Sequence, residues 1–251
     1  MSIWTSRALV LSLVLLSACG RMGVAPSGTS PVRAVSVTSD QVTVTGPEGF
    51  CVDPDSTRDS GSTAFVLMGN CAVISGRRSA GQPSVSAILT ASLSESDPSQ
   101  TLRDAIPDLD TFFGSEEGRQ LLSRAGEADT VEVLDSFHQG DVFYLRARDS
   151  SASEIQNVSA DYWRSYLDVG DRIATLTVLG REDSPLPQDT SLQTLRSFTQ
   201  AVQDANVDGS VPAPAAVQAA APTPPVPAAT PTYQPRGTLW NVGLFRRIMG
   251  G

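Results

Sequence analysis

The chain has 251 residues, of which 40% are apolar, and a formal net charge of −9. This size and composition fit one packed domain with appendages. The charge is uneven: residues 32–210 hold 13 arginines and 27 acids, a net charge of −14, whereas residues 211–251 hold three arginines and no acid. Because an acidic body repels phosphate backbones, we expect no nucleic acid as a partner.

The N-terminus has the pattern of an export signal. Arg7 precedes an apolar run over residues 8–16, which is far shorter than the roughly 20 residues that span a bilayer. The segment Leu16-Ser17-Ala18-Cys19 then resembles the lipobox of bacterial lipoproteins. The resemblance implies that the chain is cut before Cys19 and that Cys19 carries acyl chains such as palmitate. An ordinary secretory signal with a chance cysteine is the alternative.

The residue after Cys19 bears on the destination of such a lipoprotein. The pattern for retention in the inner membrane of enterobacteria has an Asp directly after the lipidated cysteine, whereas this chain has Gly20 there. The resemblance therefore implies a lipid anchor in the outer membrane, with the body facing the periplasm. Several acyl chains would make this attachment effectively permanent.

Two cysteines remain once Cys19 is assigned to lipid. Cys51 and Cys71 form an even pair in a chain with an export signal, and oxidising compartments favour disulfides. We therefore predict a Cys51–Cys71 disulfide. Two buried free thiols are the weaker alternative, and a redox-active pair is weaker still because no Cys-x-x-Cys arrangement is present.

The first half of the body is rich in strand signals. Alternating apolar positions predict strands or a short hairpin over 35–44, and Phe50-Cys51-Val52 follows a turn. The nearly continuous apolar run over 65–74 predicts a central buried strand, and residues 85–93 predict another.

Helical and hairpin patterns follow. Apolar residues over 109–122 predict a helix or a helix pair, with Ser115 as a second N-cap. Strands are predicted at 131–134 and 142–145, and the segments on either side of Val169-Gly170-Asp171 predict a hairpin. A last helix is predicted to begin at a cap on Asp189 or Thr190 and to end near Asn206.

These elements predict an α+β fold, with an antiparallel β-sheet and a few packed α-helices in one domain. The order of strands and helices loosely resembles that of PsbP-like periplasmic domains. The predicted divisions are a signal peptide over 1–18, a flexible tether over 19–32, the α+β domain over 33–208, a Pro/Ala-rich linker over 209–235 and a basic amphipathic segment over 236–251.

Candidate chemistry in the body is sparse. The loop from Asp53 to Gly61 has the alternating acids of a cation loop but misses the EF-hand spacing, so Asx turns are the better interpretation. His138 is the only histidine, and no nucleophile elbow accompanies it. The pairs Glu116-Glu117 and Glu182-Asp183 are interpreted as surface charges. We therefore predict no catalytic residue, no metal and no cofactor.

The C-terminal segment has its own chemistry. Plotted as a helix at 100° per residue, five of its residues cover about half of the circumference and Arg246 and Arg247 fall on the other half. The five are Trp240, Leu244, Phe245, Ile248 and Met249. Such a segment is expected to contact an envelope protein or a membrane surface; a disordered end, or one that folds back onto the acidic body, is the alternative. The candidate contact residues are Trp240, Leu244, Phe245, Arg246, Arg247 and Ile248.

The sequence thus predicts a lipid-anchored envelope protein that is not an enzyme and that acts as a binding or scaffolding domain. A small-molecule or lipid carrier, with a groove beside the sheet, is the second hypothesis. The aromatic residues Tyr162, Trp163 and Tyr166 are candidates for such a groove, although aromatic residues in a hairpin more often pack in a core. A hydrolase is the third hypothesis.

Overall fold

The computed structural model of the protein describes residues 30–39, 41–99, 101–153 and 155–207. Their strands are β1 (Ala34–Val37), β2 (Val42–Thr45), β3 (Phe50–Val52), β4 (Arg58–Asp59), β5 (Ala64–Asn70), β6 (Ala87–Leu93), β7 (Val131–Gln139), β8 (Val142–Asp149), β9 (Val158–Val169) and β10 (Arg172–Arg181). Their α-helices are α1 (Cys71–Ser75), α2 (Leu102–Gly114), α3 (Glu116–Leu122) and α4 (Gln188–Ala205).

The main sheet has eight strands in the order β3-β5-β6-β10-β9-β8-β7, with β4 also paired to β5. All of these pairs are antiparallel, and β1 and β2 form a separate antiparallel hairpin. The predicted α+β class with an antiparallel sheet is therefore confirmed.

Tight turns join β7 to β8 and β9 to β10, the second of them as the sequence predicted. Gly170 lies between β9 and β10 with φ of 62°, and Gly140 lies between β7 and β8 with φ of 60°. Glycine adopts this left-handed conformation without the steric cost that a Cβ would bring. The β9–β10 register then pairs Leu176 with Ser165 and Val178 with Trp163.

The two faces of the main sheet bury separate cores. Helix α4 and the β1–β2 hairpin cover one face, which we call the α4 side, where Leu195, Phe198 and Val202 meet the inward residues of the strands. Helices α2 and α3 cover part of the other face, the α2 side, where Leu109 and Phe113 are buried. Burying both faces explains the apolar character of β9 and β10.

The end of α4 is tied to the β1–β2 hairpin by one amide side chain. The Asn206 Oδ1 atom accepts from the Thr43 N–H at 2.9 Å, and its Nδ2 donates to the Thr43 carbonyl at 2.8 Å. The side chain thus satisfies both backbone groups of a strand residue, as a neighbouring strand would.

The junction of α2 and α3 confirms the predicted N-cap at Ser115. Its hydroxyl oxygen accepts from the Gly118 N–H at 3.1 Å, which satisfies one of the free donors at the start of α3. A Cβ on Gly118 would overlap the carbonyl oxygen of Phe112. The chain can therefore turn this closely only because residue 118 is glycine.

The single central strand predicted over residues 65–74 is wrong. Strand β5 ends at Asn70, and residues 71–75 form the short helix α1. The reason is local: the Asn70 side chain accepts from the Ala72 N–H at 2.8 Å and caps the helix. The apolar residues of α1 continue the apolar run of β5, so hydrophobicity alone did not separate the two elements.

The predicted cap of the last helix is also wrong, by two or three residues. Helix α4 begins at Gln188, with Pro187 at the N-cap position and Asp189 in the first turn. The fixed φ of proline suits the start of a helix, and an acid in the first turn interacts favourably with the positive end of the helix dipole. The predicted end near Asn206 is confirmed, because α4 ends at Ala205.

Candidate functional site

A polar recess of about 300 Å³ lies between the β7–β8 turn and helix α4. Hydrogen-bonding side chains dominate its wall. The lining residues are Gln139, Gly140, Asp141, Val142, Tyr144, Arg196, Thr199, Gln200 and Gln203. A wall of amides, a hydroxyl, a carboxylate and a guanidinium can hold a small polar ligand by hydrogen bonds.

Arg196 supplies the positive charge of the recess. Its guanidinium lies 5.6 Å from the ring centre of Phe137 and 6.0 Å from that of Tyr144, which are cation–π distances. Among the described residues, no carboxylate lies within 4.0 Å of it. The aromatic rings therefore hold a cation in place whose N–H groups can serve a ligand.

The floor of the recess continues into buried hydroxyl groups. Tyr144 is 5% exposed, and burial raises its pKa above the usual range, although a hydrogen bond with Thr199 offsets part of that rise. The Thr199 hydroxyl lies 2.9 Å from that of Ser165 on β9. These contacts join α4 to the sheet and make the floor rigid.

Two rim residues are engaged with neighbours. Asp141 pairs with Arg103 of α2 at 2.5 Å, with both side chains more than half exposed, and Gln200 donates to Asp204 at 2.6 Å. Exposed ion pairs of this kind add little stability. The Arg103–Asp141 pair therefore contributes little to holding this part of the rim.

Sequence reasoning did not identify this recess, although part of it was visible. Arg196, Thr199, Gln200 and Gln203 have the i, i+3, i+4, i+7 spacing of one helix face. This polar stripe borders the apolar face of α4. Only the tertiary structure shows that the β7–β8 turn lies opposite the stripe.

The structure contains the predicted disulfide. Cys51 on β3 and Cys71 at the start of α1 are joined, with Cα atoms 4.8 Å apart and both side chains fully buried. Cys19 lies outside the described residues, as does every candidate contact residue from Trp240 to Ile248.

The acidic loop after β3 has the predicted Asx turns. Asp53 accepts from the Asp55 N–H at 3.1 Å and from the Ser56 hydroxyl at 2.6 Å. Asp59 accepts from the N–H groups of Thr38 and Gly61. The carboxylates thus order the local backbone, in agreement with the interpretation that the sequence favoured.

The other polar candidates lie apart from one another. His138 is exposed on the edge strand β7, opposite Phe143. Asp183 pairs with Arg181 at 2.6 Å on the surface, and Glu116 and Glu117 lie in the exposed first turn of α3. The structure does not bring these residues together into one site.

The aromatic residues of β9 belong to the core. Tyr166 stacks against Phe113 with ring centres 5.1 Å apart on the α2 side, whereas Trp163 is buried on the α4 side. Tyr162 donates to the Leu122 carbonyl at 3.2 Å, and burial raises its pKa to about 12. The core role is confirmed, and the three residues do not line a common groove.

Buried charges on the α2 side are held by hydrogen bonds. Arg164 is 8% exposed, donates to the Thr177 hydroxyl at 3.1 Å and lies over the Tyr162 ring. Asp149 is fully buried: burial alone would raise its pKa, but hydrogen bonds from the N–H groups of Arg124 and Ser151 outweigh it and hold the pKa below the usual range. Satisfied charges of this kind stabilise a specific fold.

In the described part of the chain, no group of three or more His, Cys, Asp or Glu side chains could hold a metal ion. No described helix is long and apolar enough to cross a membrane.

The comparisons with known proteins found distant structural likeness. No family model and no curated protein matches the chain. The solution structure of cyanobacterial PsbP (CyanoP) from Synechocystis sp. PCC 6803 is 15% identical, covers 75% of this chain and 96% of its own, and has a TM-score of 0.35. The extracellular domain of PknH from Mycobacterium tuberculosis is 9% identical, covers 60% and 67%, and has a TM-score of 0.29. The resemblance to PsbP-like domains thus stays loose, and the class of the protein is that of an α+β domain on an antiparallel sheet.

Proposed function

We propose that the chain is a lipid-anchored protein of the bacterial cell envelope whose body is a non-enzymatic binding domain. Its anchor is acylated Cys19, and its ligand site is the recess between the β7–β8 turn and α4. The observation that carries the binding role is Arg196, a cation held on two aromatic rings at the wall of a polar recess.

Export is supported by the buried Cys51–Cys71 disulfide. Disulfides persist in oxidising compartments, and the periplasm is one of them. This agrees with the signal-like residues 1–18 and with the lipobox ending at Cys19. An outer-membrane location facing the periplasm follows from Gly20 and forms part of the proposal.

The ligand class follows from the recess wall. A guanidinium favours a carboxylate, while the amides of Gln139, Gln200 and Gln203 can bond hydroxyl or acetamido groups. A volume of about 300 Å³ lies at the lower limit of small-molecule sites. We therefore propose a small polar ligand with one carboxylate, such as an acidic N-acetylated sugar.

The anchor is tested by metabolic labelling with radioactive palmitate. Wild-type protein should incorporate label and sediment with membranes, and Cys19→Ser should do neither. The control is the double variant Cys51→Ala/Cys71→Ala, which should still be labelled. Equal labelling of the wild type and Cys19→Ser would refute lipid attachment at this residue.

The recess is tested with two probes, N-acetylmuramic acid and N-acetylglucosamine, which differ in the 3-O-lactyl group that carries the carboxylate. The acidic sugar should shift the NMR signals of the recess glutamine amides and bind more tightly. Arg196→Gln should weaken its binding by about 10- to 100-fold, the range for one hydrogen bond to a charged group. Arg119→Gln on α3 is the control and should bind as the wild type. Equal binding of the acidic sugar by Arg196→Gln and the wild type, or of both sugars by the wild type, would contradict the proposal.

A further inference from the structure

One strip of the main sheet lies between its helices on the α2 side. Residues Ala87, Leu89, Ala91 and Leu93 of β6 belong to the core of the α4 side, so the alternate residues of β6 face the α2 side. There α1 packs against β3 and β5, and α2 against β7, β8 and β9. We call the surface between them the central strip; its residues are Leu67, Ile88, Thr90, Ser92, Thr175 and Thr177.

The central strip is partly buried and of mixed polarity. Leu67, Ile88, Ser92 and Thr175 are of intermediate exposure, whereas Thr90 and Thr177 are buried, at 7% and 4% exposed. Ile88 also packs against the α2-side core. A strip with leucine, isoleucine and threonine methyl groups is suited to cover by another apolar surface.

The dimensions of the strip match those of one helix. Its three strands, β5, β6 and β10, are neighbours, and strands about 4.8 Å apart make the strip about 10 Å wide. A helix with side chains is about 10–12 Å across. The seven residues of β6 extend about 23 Å, whereas a 12-residue helix extends about 18 Å.

The segment over residues 238–249 has the complementary chemistry. On a helical plot one half carries Trp240, Leu244, Phe245, Ile248 and Met249, while Arg246 and Arg247 lie on the other half. The acidic residues Glu95 and Asp171 are exposed at the end of the strip where β6 ends and β10 begins. Tail and body also have opposite net charge, +3 against −14, which favours their contact.

The chain between the body and this segment is long enough to allow the contact. Residues 208–237 number 30, eight of them proline, and a chain of this length can reach at most about 100 Å. The strip therefore lies within reach of residues 238–249. Because both surfaces belong to one chain, a weak contact suffices.

We propose that residues 238–249 dock as an amphipathic helix on the central strip of the same molecule. The apolar half covers Leu67, Ile88 and Thr175, and the opposite net charges of the tail and the acidic body favour the contact. The contact folds a short segment that would be marginal alone in water, and it covers a sheet surface that the helices leave between them.

The experiment uses the chain from Gly20 to Gly251, which keeps the described fold and the segment. This chain has two tryptophans, Trp163 and Trp240, and Trp163 is only 2% exposed. The difference between the wild type and Trp240→Phe therefore reports the fluorescence of Trp240. We expect blue-shifted Trp240 emission and at least threefold slower quenching by acrylamide than in a peptide of residues 236–251.

A matched pair of variants locates the contact. Ser92→Glu places a charge in the central strip, and Ser197→Glu places the same charge on the exposed side of α4. Ser92→Glu should return Trp240 to the emission and quenching of the free peptide, and Ser197→Glu should behave as the wild type. Circular dichroism and a thermal melt check that both variants fold.

Four results would overturn the proposal. The first is that acrylamide quenches Trp240 in the wild-type chain as fast as in the free peptide. The second is protection that disappears on dilution together with a dimer, which indicates a second copy. The third is protection that appears only with vesicles of anionic phospholipid, which indicates a membrane surface. The last is protection that survives in a folded Ser92→Glu variant, which indicates a different docking surface.

Discussion

Removal of the Cys51–Cys71 disulfide should lower the stability of the body by about 3 kcal/mol. The perturbation is the double variant Cys51→Ala/Cys71→Ala, because alanine avoids burying a hydroxyl where both cysteines are fully buried. The bond closes a loop with a sequence separation of 20, and the loss of this constraint in the unfolded chain amounts to about 3 kcal/mol. For a domain of this size, that corresponds to a decrease in Tm of about 6–12 °C.

The assay is thermal and urea unfolding followed by circular dichroism, with and without reductant. Oxidised wild type should melt highest, and reductant should bring it close to the double variant while leaving the variant unchanged. The disulfide also holds the start of α1 against β3, so the variant should lose amide protection in α1 first. A difference of less than about 2 °C between oxidised wild type and the double variant would refute this reasoning.

Three further predictions concern single side chains. Asp149→Asn should lower the free energy of unfolding by about 1–3 kcal/mol at pH 7. Because the folded pKa of Asp149 is depressed, its contribution is present above the unfolded pKa of about 3.9 and is lost as the pH falls through the folded pKa. Urea unfolding at pH 7, 5 and 3 should therefore show the stability difference between wild type and variant narrowing at the lowest pH, and a constant difference would contradict the assignment. Gly118→Ala should destabilise by about 2 kcal/mol or more through the clash at the α2–α3 junction, whereas Gly114→Ala, whose Cβ would meet nothing within 4 Å, should be within about 0.5 kcal/mol of wild type in thermal melts. Asn206→Ala should cost about 1–2 kcal/mol and raise hydrogen exchange in β2, and unchanged exchange at Thr43 would argue against the tie between α4 and the hairpin.

Several elements were predictable because their signals are local. The β9–β10 hairpin combines strong strand formers with Gly170, and Ser115 is a preferred N-cap within an otherwise helical run. The Cys51–Cys71 pair was predictable from the count of cysteines together with the predicted export signal. In each case the decisive interaction is made either by residues close in sequence or, for the disulfide, by a residue type with very few members in the chain.

The errors arose where two local preferences compete. Residues 71–74 are apolar enough for a strand, but the Asn70 side chain caps a helix at that point and the disulfide then holds it. Likewise Asp189 is a good N-cap residue, yet Pro187 begins the helix earlier. Hydrophobic pattern and propensity do not rank such alternatives, because the difference between them is about 1 kcal/mol.

The sequence by itself determined the alternation of strands and helices, the antiparallel class of the sheet and the pairing of the cysteines, because these follow from periodicity, turn residues and composition. Only the tertiary structure decided that β5, β6 and β10 lie side by side, that the β7–β8 turn faces the polar stripe of α4, and that α1 and α2 leave a strip between them. Those arrangements depend on contacts between residues far apart in the chain, such as Thr43 with Asn206 and Ser165 with Thr199. Their energies are small individually, and only the packed fold selects which of them form.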